Sequence, residues 1–173
     1  MFDDFLSHRP IGRTDLFAIN GIEPFPVVAA ADGRIVAIQD GFAEQQSGRD
    51  AKECHNNYVW IAHANGEWTN YSHLVRGSVT GKAHLRVGSL VKAGAYIGDE
   101  GAVGCAMLHH VHFEVVVPPA GRALDDGGFL LDNADGSRER NPRFCGVPGE
   151  FVVKGKRYRA APCPGRDPRR EQR

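Results

Sequence analysis

From Leu108 to Val117 the chain reads LHHVHFEVVV, a run without glycine or proline that is rich in β-branched, aromatic and imidazole side chains. Such side chains lose χ1 freedom in a helix and pack well on a pleated surface, so the run predicts a strand. Side chains on a strand alternate between faces. His110, His112 and Glu114 therefore share one face, while His109, Val111 and Phe113 share the other. A single strand leaves its backbone donors and acceptors unpaired, so this segment demands neighbours.

The neighbours are legible as short apolar pieces separated by some of the 21 glycines. PVVAAADGRIVAI holds two apolar runs around Asp32-Gly33, a dipeptide suited to a hairpin turn. NYVWIAHANGEWTNYSHL predicts a second hairpin turning at Asn65-Gly66, with Trp60 and Trp68 as a cross-strand core pair. On its return strand, alternation puts Tyr71 and His73 on one face. HLRVGSLVKAGAYIGDEGAVG has glycines between β-branched pieces, as in a sheet that turns often. Helix signals are thin, at most a turn or two near residues 45–53 or 121–131. Residues 118–142 are rich in Gly, Asp and Asn and predict a long loop. The expectation is an all-β domain, a Gly-rich antiparallel β-sheet sandwich over residues 1–118. A loop and a small, basic, cysteine-bearing extension follow over residues 119–173.

Net charge is zero but unevenly spread. Residues 136–173 hold 11 Lys+Arg against 4 Asp+Glu, a net +7, which leaves −7 for the rest. A basic tail suits an anionic polymer; a solvated terminus is the equal alternative. No apolar stretch reaches the length of a membrane span. Cys54, Cys105, Cys145 and Cys163 show no CxxC spacing, which argues against a cysteine metal site. Cys145–Cys163 is the favoured pairing because both flank the strand-like FVVKGKRYRA, leaving Cys54–Cys105. Disulfides point to an oxidising compartment, although no signal peptide is visible after Met1, as in a mature or trimmed form or one whose start is assigned late.

His110 and His112 lie about 7 Å apart along an ideal strand. That spacing suits one imidazole binding a metal while its neighbour serves the reaction. His109 faces away. His63 flanks the hairpin turn and is expected to be exposed; His84 and His55 fall in loops. Glu114 is expected to support the site rather than bind a metal, and Tyr71 to support its strand or line a groove.

The ordered set YSHL, VGSLVKAGAYIGDEGAVG and HVHFEV, preceded by PVVAAADGRIVAI and YVWIAHANG, resembles the lysostaphin-type (LytM) zinc endopeptidases. The likeness runs from about residue 8 to 117. It implies the duplicated-motif β fold of that family, with an open groove, and one Zn2+ per chain. It also implies ligands His8, Asp15 and His112 and catalytic imidazoles His73 and His110. The implied activity is hydrolysis of peptide bonds in peptidoglycan cross-links by a zinc-bound water. Three protein ligands leave zinc a position for that water, as in catalytic sites. The chain has no HExxH helix, so an imidazole must be the base. His110 is the first choice, with His73 at the oxyanion or the leaving amine, and the two roles are exchangeable.

Seven positions separate His8 from Asp15, instead of the family's commonest His-x-x-x-Asp. Pro10 and Gly12 would allow a loop between the ligands. A metal-free adaptor that regulates a cell-wall amidase is the alternative reading. A carrier domain is a third, since GSLVKAGAYIG resembles lipoyl and biotinyl hybrid motifs, but Lys92 reads as strand instead of hairpin tip. The expected partner is a peptidoglycan peptide rather than nucleic acid, and the expected protein a periplasmic or secreted monomer.

Overall fold

A computed structural model of the chain describes residues 13–17, 24–44, 55–106, 108–121, 123–125, 127–130, 138–153 and 155–159. His8, Cys54, Cys163 and the helix signal near 45–53 lie outside them. The strands are β1 (Arg13–Leu16), β2 (Pro26–Val28), β3 (Gly33–Gln39), β4 (Tyr58–Ala62), β5 (Trp68–Ser72), β6 (Leu90–Val91), β7 (Tyr96–Asp99), β8 (Val111–Val116) and β9 (Glu139–Arg140). The large sheet runs β1-β8-β5-β4-β3-β6, entirely antiparallel, with β9 also paired to β8. β2 and β7 make a separate two-stranded sheet.

The all-β expectation holds, and alternation gives the large sheet two different faces. Ile35, Val59, Ile61, Tyr71, Val111 and Phe113 point toward the small sheet and pack with Val27, Ala29 and Ile97. Each such side chain contributes roughly 1.5–3 kcal/mol on burial. On the opposite face Trp60, Trp68, Val116 and Leu130 form a second cluster. His112, Glu114, Asn70 and Ser72 belong to that second face by the same alternation, and all four are buried.

The β4–β5 hairpin turns at Asn65-Gly66, where Gly66 takes the left-handed conformation at φ 85°. Trp60 and Trp68 pack diagonally across it with ring centroids 6.1 Å apart. Asp32-Gly33 is not a hairpin turn. β2 pairs with β7 and β3 with β4 and β6, so the dipeptide is a corner between sheets. A Cβ on Gly33 would lie 2.5 Å from Ile61 Cγ2, which is why glycine passes there. The Asp32 carboxylate fixes the corner by accepting the Ala93 N–H and the Lys92 ammonium, both at 2.8 Å. Lys92 itself stands in a turn, since Ala95 N–H donates to its carbonyl at 2.9 Å, and the strand expected there ends at Val91.

The helical element among the described residues is a π-turn, Ser78–Lys82, where the sequence suggested none. Asp40 holds it from a distance, accepting the N–H groups of Gly77 and Thr80 and the Thr80 hydroxyl. The described residues of 121–130 form no helix. They fold back over the second face of the sheet, closed by a Leu124–Leu130 bridge. Within the predicted 118–142 loop, Glu139–Arg140 adds β9 to the edge of β8, and just beyond it Phe144 packs on Phe113 with ring centroids 6.1 Å apart. No described cysteine is free, and each favoured pairing has one half outside the described residues.

Candidate active site

β8 lies between β1 and β5, and the register sets Asp15 opposite His112, with Ser72 facing His112 from the other side. Three strands thus place their functional positions in one row. His112 Nδ1 stands 3.2 Å from Asp15 Oδ1, and His110 Nε2 stands 3.6 Å from the same oxygen. His110 sits just before β8, tied by a bridge to Gly101 instead of the regular ladder. That departure lets two imidazoles that would stand apart on an ideal strand reach one carboxylate.

His73 joins them by a route that alternation does not give. Tyr71 points into the core of the first face, where its ring meets Phe113 at 5.2 Å and its hydroxyl accepts the Ala30 N–H at 2.7 Å. It supports the strand and does not line a groove. His73, two residues on, does not share that face. β5 ends at Ser72 and His73 has φ 69°, a conformation uncommon for a residue with a Cβ. The turned backbone carries its ring to the second face. There it lies 4.5 Å from the His110 ring and 6.1 Å from the His112 ring.

The tautomers follow from the partners. His73 Nδ1 lies 2.7 Å from the Val103 carbonyl and His110 Nδ1 lies 2.8 Å from the Leu108 carbonyl. A carbonyl only accepts, so in both rings Nδ1 carries the hydrogen and Nε2 a lone pair. Burial pushes the His73 pKa down to about 3, reinforced by the neighbouring His110 and His112 imidazoles. His73 therefore rests neutral.

The other histidines sort by contact. His109 leaves the site side and meets Glu44 at 3.4 Å. His63 is half-buried and not exposed as expected: its two nitrogens bridge the Asp32 carbonyl at 2.8 Å and the Thr69 hydroxyl at 2.9 Å. His55 is exposed and stacks on Phe42, and His84 is an exposed loop residue. Glu114 is 1% exposed and lies in register with Asn70, beneath the site row.

Two aromatic residues escaped the sequence reading. Phe17 stacks on His110 at 5.2 Å, and Phe129 presents its ring edge-on to His112 at 5.1 Å. Phe17 was available in principle, since it lies two positions beyond Asp15 on the same alternation. Phe129 sits in a glycine-rich loop and carries no local signal.

Among the described residues no group of three His, Cys, Asp or Glu side chains is arranged to hold a metal ion. The third ligand named by the resemblance, His8, lies outside them. The two donors that are described do fit a zinc ion. Donors about 2.0–2.1 Å from a tetrahedral ion lie about 3.3 Å from each other, and Asp15 Oδ1 and His112 Nδ1 are 3.2 Å apart.

Peptidase family M23 matches residues 14–125, more than half of the chain. The chain belongs to peptidase family M23. The match spans Asp15, His73, His110 and His112, four of the five site residues that the lysostaphin-type likeness implies. The peptidoglycan DD-endopeptidase ShyC of Vibrio cholerae is 36% identical over 90 residues, covering 52% of this chain and 19% of that protein. This M23 chain thus spans about a fifth of that relative's length. A zinc containing peptidase from Vibrio cholerae is similar in structure, at 26% identity over 63% of this chain and 26% of that one, with a TM-score of 0.42. The lysostaphin catalytic domain from Staphylococcus simulans is similar at 24% identity over 68% of this chain and 70% of that one, again with a TM-score of 0.42. At such scores the two structures stand as likenesses only, and membership rests on the family match.

Proposed function

We propose that this M23 chain is a zinc-dependent endopeptidase that hydrolyses peptide bonds in peptidoglycan cross-links. The observation that carries the reading is the meeting of Asp15 and His112 with two further imidazoles whose Nε2 atoms hold lone pairs. Asp15 and His112, with His8, are the residues that would hold the ion. Zinc, when bound, supplies a Lewis acid that polarises a carbonyl and acidifies water.

His110 acts as general base. Its Nε2 is bare and a proton taken there faces an Asp15 oxygen, whereas burial disfavours a charge on His73. With the two rings 4.5 Å apart, two imidazolium charges would repel, so one of them holds the proton at a time. His73 serves the leaving side. The proton that His110 takes up at Nε2 is the one delivered to the departing amine, passed by way of His73 Nε2, which is neutral at rest and does not retain it. Phe17 and Phe129 keep water from the imidazole row. The named activity of the Vibrio cholerae relative supports peptidoglycan as the substrate class. A peptidoglycan substrate favours a place in the periplasm or outside the cell.

The test is digestion of purified cell walls with and without a chelator, with identification of new amine termini and measurement of bound zinc. About one zinc per chain and chelator-sensitive cleavage are expected. A chain that stays metal-free with ample zinc and releases no termini would overturn the enzyme and leave the amidase adaptor.

A further inference from the structure

His73 is the site imidazole held in an uncommon backbone conformation, so something must enforce it. Left-handed φ on a residue with a Cβ is strained and persists only where its surroundings over-determine it. The constraints converge on a side chain with no assigned role. Asn56 is 2% exposed, and its Oδ1 accepts the His73 N–H at 3.1 Å. Its Nδ2 donates to the Gly127 carbonyl at 3.2 Å. Its Cβ also backs Gly104, where an added methyl would lie 3.2 Å away, next to the Val103 whose carbonyl fixes the His73 ring.

The carboxamide therefore ties together two segments that surround the imidazole row, and the side chain lies against a third at Gly104. Through Gly127 it anchors the loop that brings Phe129 onto His112, and through Oδ1 it holds the backbone of His73. The next residue, Asn57, points elsewhere: its Nδ2 donates to the carbonyls of Phe42 and Leu74, at 2.8 and 3.0 Å. Asn57 secures the strand end, and Asn56 secures the site.

We propose that Asn56 is a positioning residue of this site, fixing the His73 imidazole through its carboxamide oxygen and the Phe129 wall through its nitrogen. The inference deepens the peptidase reading, but its decisive readout does not need activity.

The two halves of the carboxamide can be separated. Asn56→Ala removes both contacts. Asn56→Asp keeps an acceptor for the His73 N–H and loses the donor to Gly127. Nitrogen-15 imidazole spectra of the full-length, zinc-loaded protein report the His73 tautomer directly. The Nδ1–H signature of His73 should be present in the wild type, averaged or lost in Asn56→Ala, and retained in Asn56→Asp. On cell-wall peptides, Asn56→Ala should lower kcat on the order of a hundredfold, since a displaced catalytic group costs about that much. Asn56→Asp should instead mainly raise KM, through the loosened Phe129 wall.

An unchanged His73 signature in a folded Asn56→Ala protein overturns the proposal, whether or not the wild type cleaves peptides. Should Asn56→Ala fail to fold, Asn56→Asp decides alone. Loss of the His73 signature in a folded Asn56→Asp protein would also overturn it. A wild type with the expected spectra and no cleavage would instead count against the peptidase reading.

Discussion

Both Nδ1 atoms of His73 and His110 are spent on backbone carbonyls, so the chemistry of this site is confined to two Nε2 lone pairs and the Asp15–His112 pair. The residues should therefore separate in their effects. His112→Ala and Asp15→Ala are expected to lose bound zinc, measured by elemental analysis of the purified protein. His110→Ala should keep the metal and lose turnover by about 10²–10⁴-fold, the usual contribution of a general base. Full zinc with normal cleavage in that variant would reassign the base. His73 makes a prediction about pH. Its folded pKa is depressed to about 3 from 6.5, so the unfolded chain binds the extra proton between those values. Stability contributed by this residue is complete above pH 6.5 and declines as pH falls toward 3. In chelator-treated protein the loss should reach roughly 3 kcal/mol by pH 4, seen as a falling denaturant midpoint. His73→Gln should flatten that slope, and an unaltered slope would contradict the buried neutral imidazole.

At the scale of elements, the loop around residues 123–130 behaves as part of the site. Gly128 carries it: Trp60 Nε1 donates to its carbonyl at 2.7 Å, and its Cα presses against Tyr58 so closely that a Cβ would lie 2.1 Å from the ring. With φ 83° as well, the position admits glycine alone without strain. Gly128→Ala should cost about 1–3 kcal/mol, with Trp60 fluorescence shifting to the red as the loop lifts. Unchanged stability and emission would mean the loop is not seated on the sheet. These elements were unequally readable in advance. The β4–β5 hairpin and β8 announce themselves because turn chemistry and alternation act between neighbours in sequence. The corner at Asp32-Gly33 reads like a hairpin, because the dipeptide only bends the chain; partner strands decide whether the bend pairs. The π-turn at Ser78–Lys82 owes its place to Asp40, far away in sequence, and no local pattern could reveal it.

For the whole molecule, the large sheet is packed on both faces, one by the small β2–β7 sheet and the other by its own tryptophans and the returning loop. The site row lies on the second face, so the hydrophobic first face holds the sheet rigid while the second presents chemistry. If Cys145 pairs with Cys163, as the sequence reading favours, reduction exposes the chain beyond Pro142 to proteases before the sheet yields; a tail equally resistant when reduced would count against that pairing. The sequence alone determined the all-β class and the central strand, because turn chemistry and side-chain alternation are local properties, and it named Asp15, His73, His110 and His112 only through the family likeness. Only the tertiary structure decided that β1 and β5 flank β8, which sets Asp15 against His112. It also decided that His73 turns off the face of Tyr71 to meet His110. Strand order and a single left-handed backbone angle arise from contacts between distant segments, and those contacts leave no periodic trace in the chain.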